Sequence, residues 1–531
     1  MENVHSCFLS ASAQNLEFLQ RRLNPVQAGT NRPKCLKGTR KNILNEIYAW
    51  AGDSSQENIL WLSGSPGAGK SAIASTVVSH LAKHQPTVAF CFERGHAILG
   101  DPAVIWHSIA YGLACHDSAL QSDIVQFLKD PKIHFGNDIG YHFKHLIKEP
   151  LTKNCDVLSF EQPLVIVIDA LDECDASDST SAPRGILLRT VRRWAQLPKK
   201  FKLFIAARHE SDVGACLEDV SKNIVLQTGD QVTLQTSNDI QSFFTHHFSN
   251  IAKPYHPRLT HWPGTTIIEQ LTKQAAGLFI WAETVIKFVK QGVPTAQLSL
   301  ILDGNPGMGD IDSLYLRVLK NSFKDSALEA FNAVAGCIVL ARVPLHFQDL
   351  EELLYGVETD ISIAFVLNGL KAVITNDVEN GIQLAHQSFP EFLRDVNRST
   401  EAFAINQTKQ SKRLALGCLR VMNAKGGLHL NICNLETSYV FNDHVEDLGR
   451  CIKTAIPSYL SYACRFWAQH LQDVPKQNPD AAFSESGQQF AHIHLLHWLE
   501  VLSLINEVSN VASKALDAAD QWYQVCTMDD I

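Results

Sequence analysis

The feature that most narrows the fold of this chain is the octapeptide GSPGAGKS at residues 64–71. It sits between a short apolar run, Ile59–Leu62, and a helical pattern from about Lys70 to Lys83. It fits the spacing G-x-x-x-x-G-K-[ST], in which glycines let the backbone curl until several N–H groups point inward at phosphate oxygens. Gly64, Gly67 and Gly69 supply that freedom, with Ser65, Pro66 and Ala68 between them. Lys70 is placed to reach β and γ phosphates, and Ser71 to lend its hydroxyl to Mg²⁺. The following helix adds its N-terminal N–H groups to the anion site. A glycine-rich surface turn is the plain alternative, and the flanking strand and helix argue against it. The strand–loop–helix order predicts a parallel α/β sheet.

A second signal is LVIVIDALDEC at residues 164–174. The run is continuously apolar and β-branched, as a strand covered on both faces should be. It ends in Asp169, where a carboxylate emerging at the sheet edge would hold Mg²⁺ through water. Asp172 and Glu173 follow where the chain turns away. Either could polarise an attacking water as general base, and Glu173 is the preferred choice. Acids also favour helix starts for electrostatic reasons alone, so the cluster gains its meaning from the loop at 64–71. Thr87–Phe92 and Leu203–Ala207 read as two further strands, and a doubly wound α/β domain is expected to end near residue 230. Arg208, just past the last of them, is placed to sense a γ phosphate. Arg94, past the second strand, is a weaker candidate. Both positions also suit an ordinary surface arginine.

Beyond residue 230 helical patterns dominate. Asp239–Phe248 and Ile267–Lys290 read as packed helices. Helices near 327–341, 347–355 and 363–372, followed by a short strand at Ile382–Ala385, suggest a winged-helix module. The stretch 402–531 is helical, most clearly at His494–Ile505. The expected division is 1–34 a short helix and linker, 35–230 the NTPase domain, 231–308 a helical domain, 309–400 the winged helix, and 401–531 an all-helical C-terminal region.

With 46 Lys and Arg against 55 Asp and Glu, the formal net charge is −9, which argues against a nucleic-acid binder driven by phosphate contacts. The helix expected to enter a groove, residues 361–373, carries only Lys371 as a basic residue, a second argument against nucleic acid. The 13 cysteines form no CxxC pair and read as free thiols of a reducing compartment. Ala275–Ala282 and Ala333–Ala341 fall far short of the roughly 20 apolar residues of a membrane span. A cytoplasmic location is the resulting expectation.

GSPGAGKS followed by VIVIDALDECD resembles the NACHT class of signal-transduction ATPases with numerous domains (STAND), in particular the NOD-like receptors of fungi. CLKGTRKNILNEIYAW at 35–50, FERG at 92–95, GLFIWAETVIKFV at 277–289, DSLYLRVL at 312–319, HQSFPEFL at 386–393 and YACRFWAQHL at 462–471 extend the likeness over most of residues 35–505. The resemblance implies a switch in which nucleotide-binding, helical and winged-helix domains close around ADP and open on exchange for ATP, with homo-oligomerisation and a signalling protein partner as output. It implies that His386 reaches the nucleotide's phosphate. Ser388, Pro390 and Glu391 read as a capping-box helix start immediately after that histidine. A histidine with a purely structural role is the competing account. AARHE at 206–210 stands where the family often has Thr-Ser-Arg-Pro, so Arg208 is retained without its hydroxyl neighbours. Glu391 stands where Asp is frequent. The WD40 repeats common in that group are absent from these 531 residues.

The leading expectation is an ATP/ADP switch with slow Mg²⁺-dependent hydrolysis, active in fungal self/non-self recognition or defence. The alternative is a nucleotide-binding scaffold without significant turnover. The loop reads phosphates and leaves ATP against GTP open.

Overall fold

The computed structural model describes residues 2–26, 32–130, 138–158, 160–174, 183–303, 309–355, 362–377, 381–437, 439–474 and 481–528. They fall into two compact units, Met1–Ile311 and Asp312–Ile531. The boundary expected at 308/309 adjoins residues 304–308, which lie outside the described ones.

Among the described residues, the first unit is built on a five-stranded parallel sheet. Its strands are β1 (Ile59–Gly64), β2 (Thr87–Cys91), β3 (Leu164–Asp169), β4 (Phe201–Ala207) and β5 (Lys222–Leu226), in the order β2-β3-β4-β1-β5. β3 and β4 are buried along their whole length, and β1 along all but its last residue. Their side chains alternate between two cores. Ile59, Trp61, Ile166, Ile168, Leu203 and Ile205 pack with the helices Ile105–His116, Ser118–Lys129 and Pro183–Arg193. Leu60, Leu62, Val165, Val167, Phe204 and Ala206 pack with Lys41–Gly52 and Lys70–Leu81. Each fully buried Val, Leu, Ile or Phe side chain among them contributes roughly 1.5–3 kcal/mol. A one-residue slip would exchange the two sets, so the register is tightly specified.

Four of these strands are legible in the sequence, and β5 is not. Only Ile224 and Leu226 turn inward along β5, which pairs on one side with β1. A half-exposed edge strand of five residues carries too few apolar positions to stand out. The N-terminal helix is longer than expected, spanning Glu2–Leu23, and buries Leu19 and Leu23 against the first core. The segment read as one helix at 267–290 is two, Thr265–Ala275 and Phe279–Val289. Ala276 and Gly277 separate them with φ of 44° and 88°. A Cβ at Gly277 would meet the Gln227 carbonyl oxygen at 3.1 Å, so the turn packs closely on the chain leaving β5.

In the second unit, helices Leu328–Leu340, Phe347–Leu353 and Ile363–Leu370 precede an antiparallel ribbon of β6 (Ile374–Asp377) and β7 (Gly381–Leu384). Leu345 extends the ribbon through a bridge to Ile382. The remainder is helical, with the long helices Gln407–Asn423 and Ser458–Gln472 packed together. The first unit is thus a parallel α/β NTPase-like core followed by helices, and the second is largely helical. Among the described residues, no helix is long and apolar enough to cross a membrane.

Candidate functional site

The strand register brings the expected residues to one edge. Asp169 of β3 is level with Ala206 of β4, and Ala207 with Ser63 of β1. The segments leaving β1, β2, β3 and β4 therefore emerge side by side at the carboxyl end of the sheet, where open α/β sheets bind ligands.

The loop at 64–71 has the backbone its glycines foreshadowed. Gly67 and Gly69 take φ of 79° and 96°, and Gly69 caps the helix Lys70–Leu81. A Cβ at Gly64 would lie 2.8 Å from Leu226 Cβ, so a larger residue there would collide with β5. Lys70 folds over the loop and donates to the carbonyls of Gly64 (2.7 Å) and Ser65 (3.1 Å). Burial lowers its pKa, with the charges of Asp172, Asp169 and Glu173 opposing that shift. The Ser65 and Thr228 hydroxyls share a hydrogen bond of 2.9 Å.

The outer side of the loop is tied from behind. Arg40, 4% exposed, donates to the Ala68 carbonyl (2.7 Å) and the Thr236 hydroxyl (3.0 Å), and its guanidinium lies 4.7 Å from the Phe279 ring centroid. The Ile280 N–H reaches the Gly67 carbonyl at 3.2 Å. Hence the break at 276–277 has a use: it starts a new helix whose first turn touches the phosphate loop.

Ser71 donates to Asp169 Oδ1 at 3.1 Å, joining the two motifs. After Asp169 the chain turns sharply, because Ala170 adopts the left-handed region (φ 56°, ψ 44°). For a residue with a Cβ this costs about 1–2 kcal/mol. Arg94 and Arg184 offset it by donating to the Asp172 carbonyl at 2.7 and 2.9 Å. Arg184 also reaches the Cys174 carbonyl and pairs with Asp212 and Glu210.

Asp172 and Glu173, read together as acids near the nucleotide, part company here. Asp172 is 2% exposed; its Oδ1 accepts the Arg208 N–H at 2.8 Å and its Oδ2 lies 3.1 Å from Arg208 Nε. It fixes Arg208 at the end of β4. Glu173 has a pKa pushed up to about 7 by burial, with the charges of Asp172 and Asp169 adding and those of Arg32 and Arg208 opposing. A carboxyl poised near neutrality suits proton transfer.

Arg32 carries no role in the sequence reading, yet it lies inside the site. Its Nη1 donates to Ser71 Oγ and to Asp169 Oδ2, both at 3.1 Å, and its Nη2 to the Phe92 carbonyl at 3.1 Å. Arg40 and Arg184 were likewise given no role. In sequence the three are separate basic residues, and nothing local distinguishes them from a solvated face.

Among the described residues, no three His, Cys, Asp or Glu are grouped to hold a metal ion. Mg²⁺ does not need such a group, since it binds through one or two protein oxygens plus phosphate and water. Ser71 Oγ and Asp169 fit that requirement.

His386 lies in the second unit, directly after β7. Its Nδ1 accepts the Ser388 N–H (3.1 Å) and lies 2.7 Å from Ser388 Oγ, which in turn is 2.8 Å from Tyr315 OH. An Nδ1 that accepts a backbone N–H leaves the ring proton on Nε2. The capping box expected at Ser388 is not formed: the helix Ser388–Arg394 starts after Gln387 without a side-chain cap bond. The serine hydroxyl is turned instead toward His386 and Tyr315.

The family profile described as Nephrocystin 3, N-terminal, matches residues 38–208. The vegetative incompatibility protein HET-E-1 of Podospora anserina is 22% identical over 517 residues, covering 89% of this chain and 36% of that protein. Cell division control protein 18 of Schizosaccharomyces pombe is 22% identical over 173 residues, 33% of this chain and 26% of that protein. The chain thus spans about a third or less of the length of these relatives. Among solved structures, a STAND protein with a tetratricopeptide repeat sensor from Pyrococcus horikoshii overlaps 96% of this chain and 67% of that one, at 12% identity and a TM-score of 0.42. A Walker-type ATPase of Pyrococcus abyssi overlaps 69% of this chain and 99% of that one, at 13% identity and a TM-score of 0.33. Motif geometry and strand order give this chain an NTPase-like parallel α/β core, and its sequence is similar to that of fungal proteins such as HET-E-1.

Proposed function

We propose that the chain is a nucleotide-dependent signalling switch that binds ATP or ADP with Mg²⁺ and hydrolyses ATP slowly. The observation that carries this reading is the Ser71–Asp169 hydrogen bond of 3.1 Å, which joins the phosphate loop to the acidic strand end. The backbone N–H groups of Gly64–Ser71 and the Lys70 ammonium neutralise β and γ phosphates. Ser71 and Asp169 would hold Mg²⁺, which would supply further charge neutralisation for the phosphates. Glu173 takes the proton of the attacking water. Asp172 holds Arg208 where it can meet the γ phosphate, so its part is positioning.

The output would be a change in packing among the helical domain at 231–308, the winged helix at 309–400 and the region 401–531. A phosphate contact from His386 is carried by the family resemblance alone. Nucleotides shift such an equilibrium only through contacts that differ between its states, and a γ phosphate meeting Arg208 is one such contact. A role in fungal self/non-self recognition rests on the likeness to HET-E-1 over 89% of the chain. In this reading the switch works in the cytoplasm, assembles into a homo-oligomer and passes its signal to a protein partner. A scaffold that holds nucleotide without turnover would share the loop but have no need of Glu173 poised near neutrality.

The test is to purify the full chain without added nucleotide, extract what it carries, and repeat this with Lys70→Ala. ADP or ATP near one per chain, missing from the variant, is the expected result. A folded wild-type chain that neither carries nor takes up nucleotide would sink the reading.

A further inference from the structure

We propose that Arg32 is a built-in competitor for the divalent cation at the phosphate site, so that the chain holds metal-free nucleotide with Arg32 in place and must release Arg32 to accept Mg²⁺-nucleotide. The inference rests on the nucleotide-switch reading above and concerns the regulation of that same site.

The argument begins with the two oxygen groups that fit Mg²⁺. Ser71 Oγ and an Asp169 oxygen each accept from the same Arg32 nitrogen at 3.1 Å. A Mg²⁺ ion coordinates oxygen at about 2.0–2.1 Å and demands near-octahedral surroundings. An ion bound to Ser71 Oγ, reaching Asp169 directly or through a water, would need the space that Arg32 Nη1 fills between the two groups and would repel its charge. The two cations are therefore mutually exclusive. Arg208 is committed to Asp172, and Lys70 turns to loop carbonyls. Among the described residues, Arg32 is the cation hydrogen-bonded to Asp169.

The placement of Arg32 is written into the helix beneath it. Ser71, Ser75 and Ser79 recur every four residues along Lys70–Leu81, which puts them on one face. Each touches the segment 32–35 or its side chains. Ser71 accepts from the Arg32 guanidinium, Ser75 Oγ donates to the Arg32 carbonyl at 2.9 Å, and Lys34 Nζ donates to Ser79 Oγ at 2.8 Å. Beside them, the Cys35 N–H donates to Thr76 Oγ1 at 2.9 Å. A segment stitched down at four points delivers the guanidinium to a defined place. It also gives cation exchange a mechanical consequence: releasing Arg32 from Asp169 loosens residues 32–35 from the helix that carries the phosphate loop. The site thereby couples the kind of cation it holds to the chain entering the NTPase domain.

The decisive experiment measures the affinity of the full chain for fluorescently labelled ADP in excess Mg²⁺ and in EDTA, for wild type, Arg32→Gln and Ser75→Ala. Mn²⁺ bound per chain, read by electron paramagnetic resonance, gives a second observable. The ratio of Kd in EDTA to Kd in Mg²⁺ should rise at least tenfold in Arg32→Gln, and Mn²⁺ should bind more tightly. Ser75→Ala removes only the backbone tether; it should move the ratio the same way by a smaller factor, and it serves as the test if Arg32→Gln fails to fold. A ratio unchanged in both variants overturns the proposal. Equal weakening in both conditions also overturns it, by making Arg32 an ordinary phosphate ligand or a structural residue. If wild type binds nucleotide under neither condition, the switch reading itself has failed, and the proposal fails with it.

Discussion

Asp172→Asn separates a positioning carboxylate from a catalytic base. In the structure both Asp172 oxygens face Arg208, at 2.8 Å from its backbone nitrogen and 3.1 Å from Nε. Removing one partner of a buried ion pair costs about 3–5 kcal/mol. Two features reduce that here: the Arg208 side chain retains 16% exposure, and Asn keeps an acceptor for the backbone N–H. We expect a loss of about 2–3 kcal/mol in the local stability of the end of β4. At 1.4 kcal/mol per tenfold, exchange of the amides at 201–208 should quicken by roughly 30- to 140-fold if they open locally. Hydrogen exchange read by mass spectrometry follows this stretch directly, where a global unfolding curve would mix several domains. A second consequence concerns Glu173. Its pKa is raised by burial and next, among the charges, by Asp172, so the substitution should move the rising limb of the hydrolysis–pH profile to lower pH. Unchanged exchange, together with hydrolysis lost equally at every pH, would refute the positioning argument and restore Asp172 as a candidate base.

Two further outcomes follow from the same geometry. In wild type, hydrolysis should rise as pH passes about 7, where Glu173 loses its proton; Glu173→Gln should flatten that limb and cost about 10²–10⁴ in rate. The stability effect has the opposite direction: the folded chain holds this proton more tightly than the unfolded one, so its contribution is full below about 4.5 and lost as pH rises through about 7. Comparative denaturation of wild type and Glu173→Gln across that window checks the sign. In the second unit, Gly417 of the helix Gln407–Asn423 would place a Cβ 2.4 Å from the Leu353 carbonyl oxygen. Gly417→Ala should therefore destabilise that unit by about 1–3 kcal/mol through overpacking, and a thermal midpoint equal to wild type would count against the close crossing.

What the sequence made legible, and what it hid, follows from the range of the interactions involved. The phosphate loop and the strand ending in Asp169 could be read because their chemistry is local: glycine conformations, a lysine and a serine at fixed offsets, a run of apolar residues. β5 was hidden because two inward side chains make no periodic signal. The break at Ala276–Gly277 was hidden because apolar residues continue through it, and its reason lies with Gln227 and Gly67, far away in the chain. The arginines show the same limit most sharply. Asp169, Asp172 and Glu173 crowd negative charge at one strand end, and such a cluster must be answered by cations or protons. Glu173 is answered by a proton, Asp172 by Arg208 36 residues on, and Asp169 by Arg32, 137 residues away in sequence. A dense acidic motif therefore predicts that cations will converge on it, while leaving their addresses to the tertiary fold. The serine face at 71, 75 and 79 is a trace of one of them, visible only once the fold shows what it meets. Three hydroxyls on one face of a helix require partners unless they meet water, and residues 32–34 are what they meet.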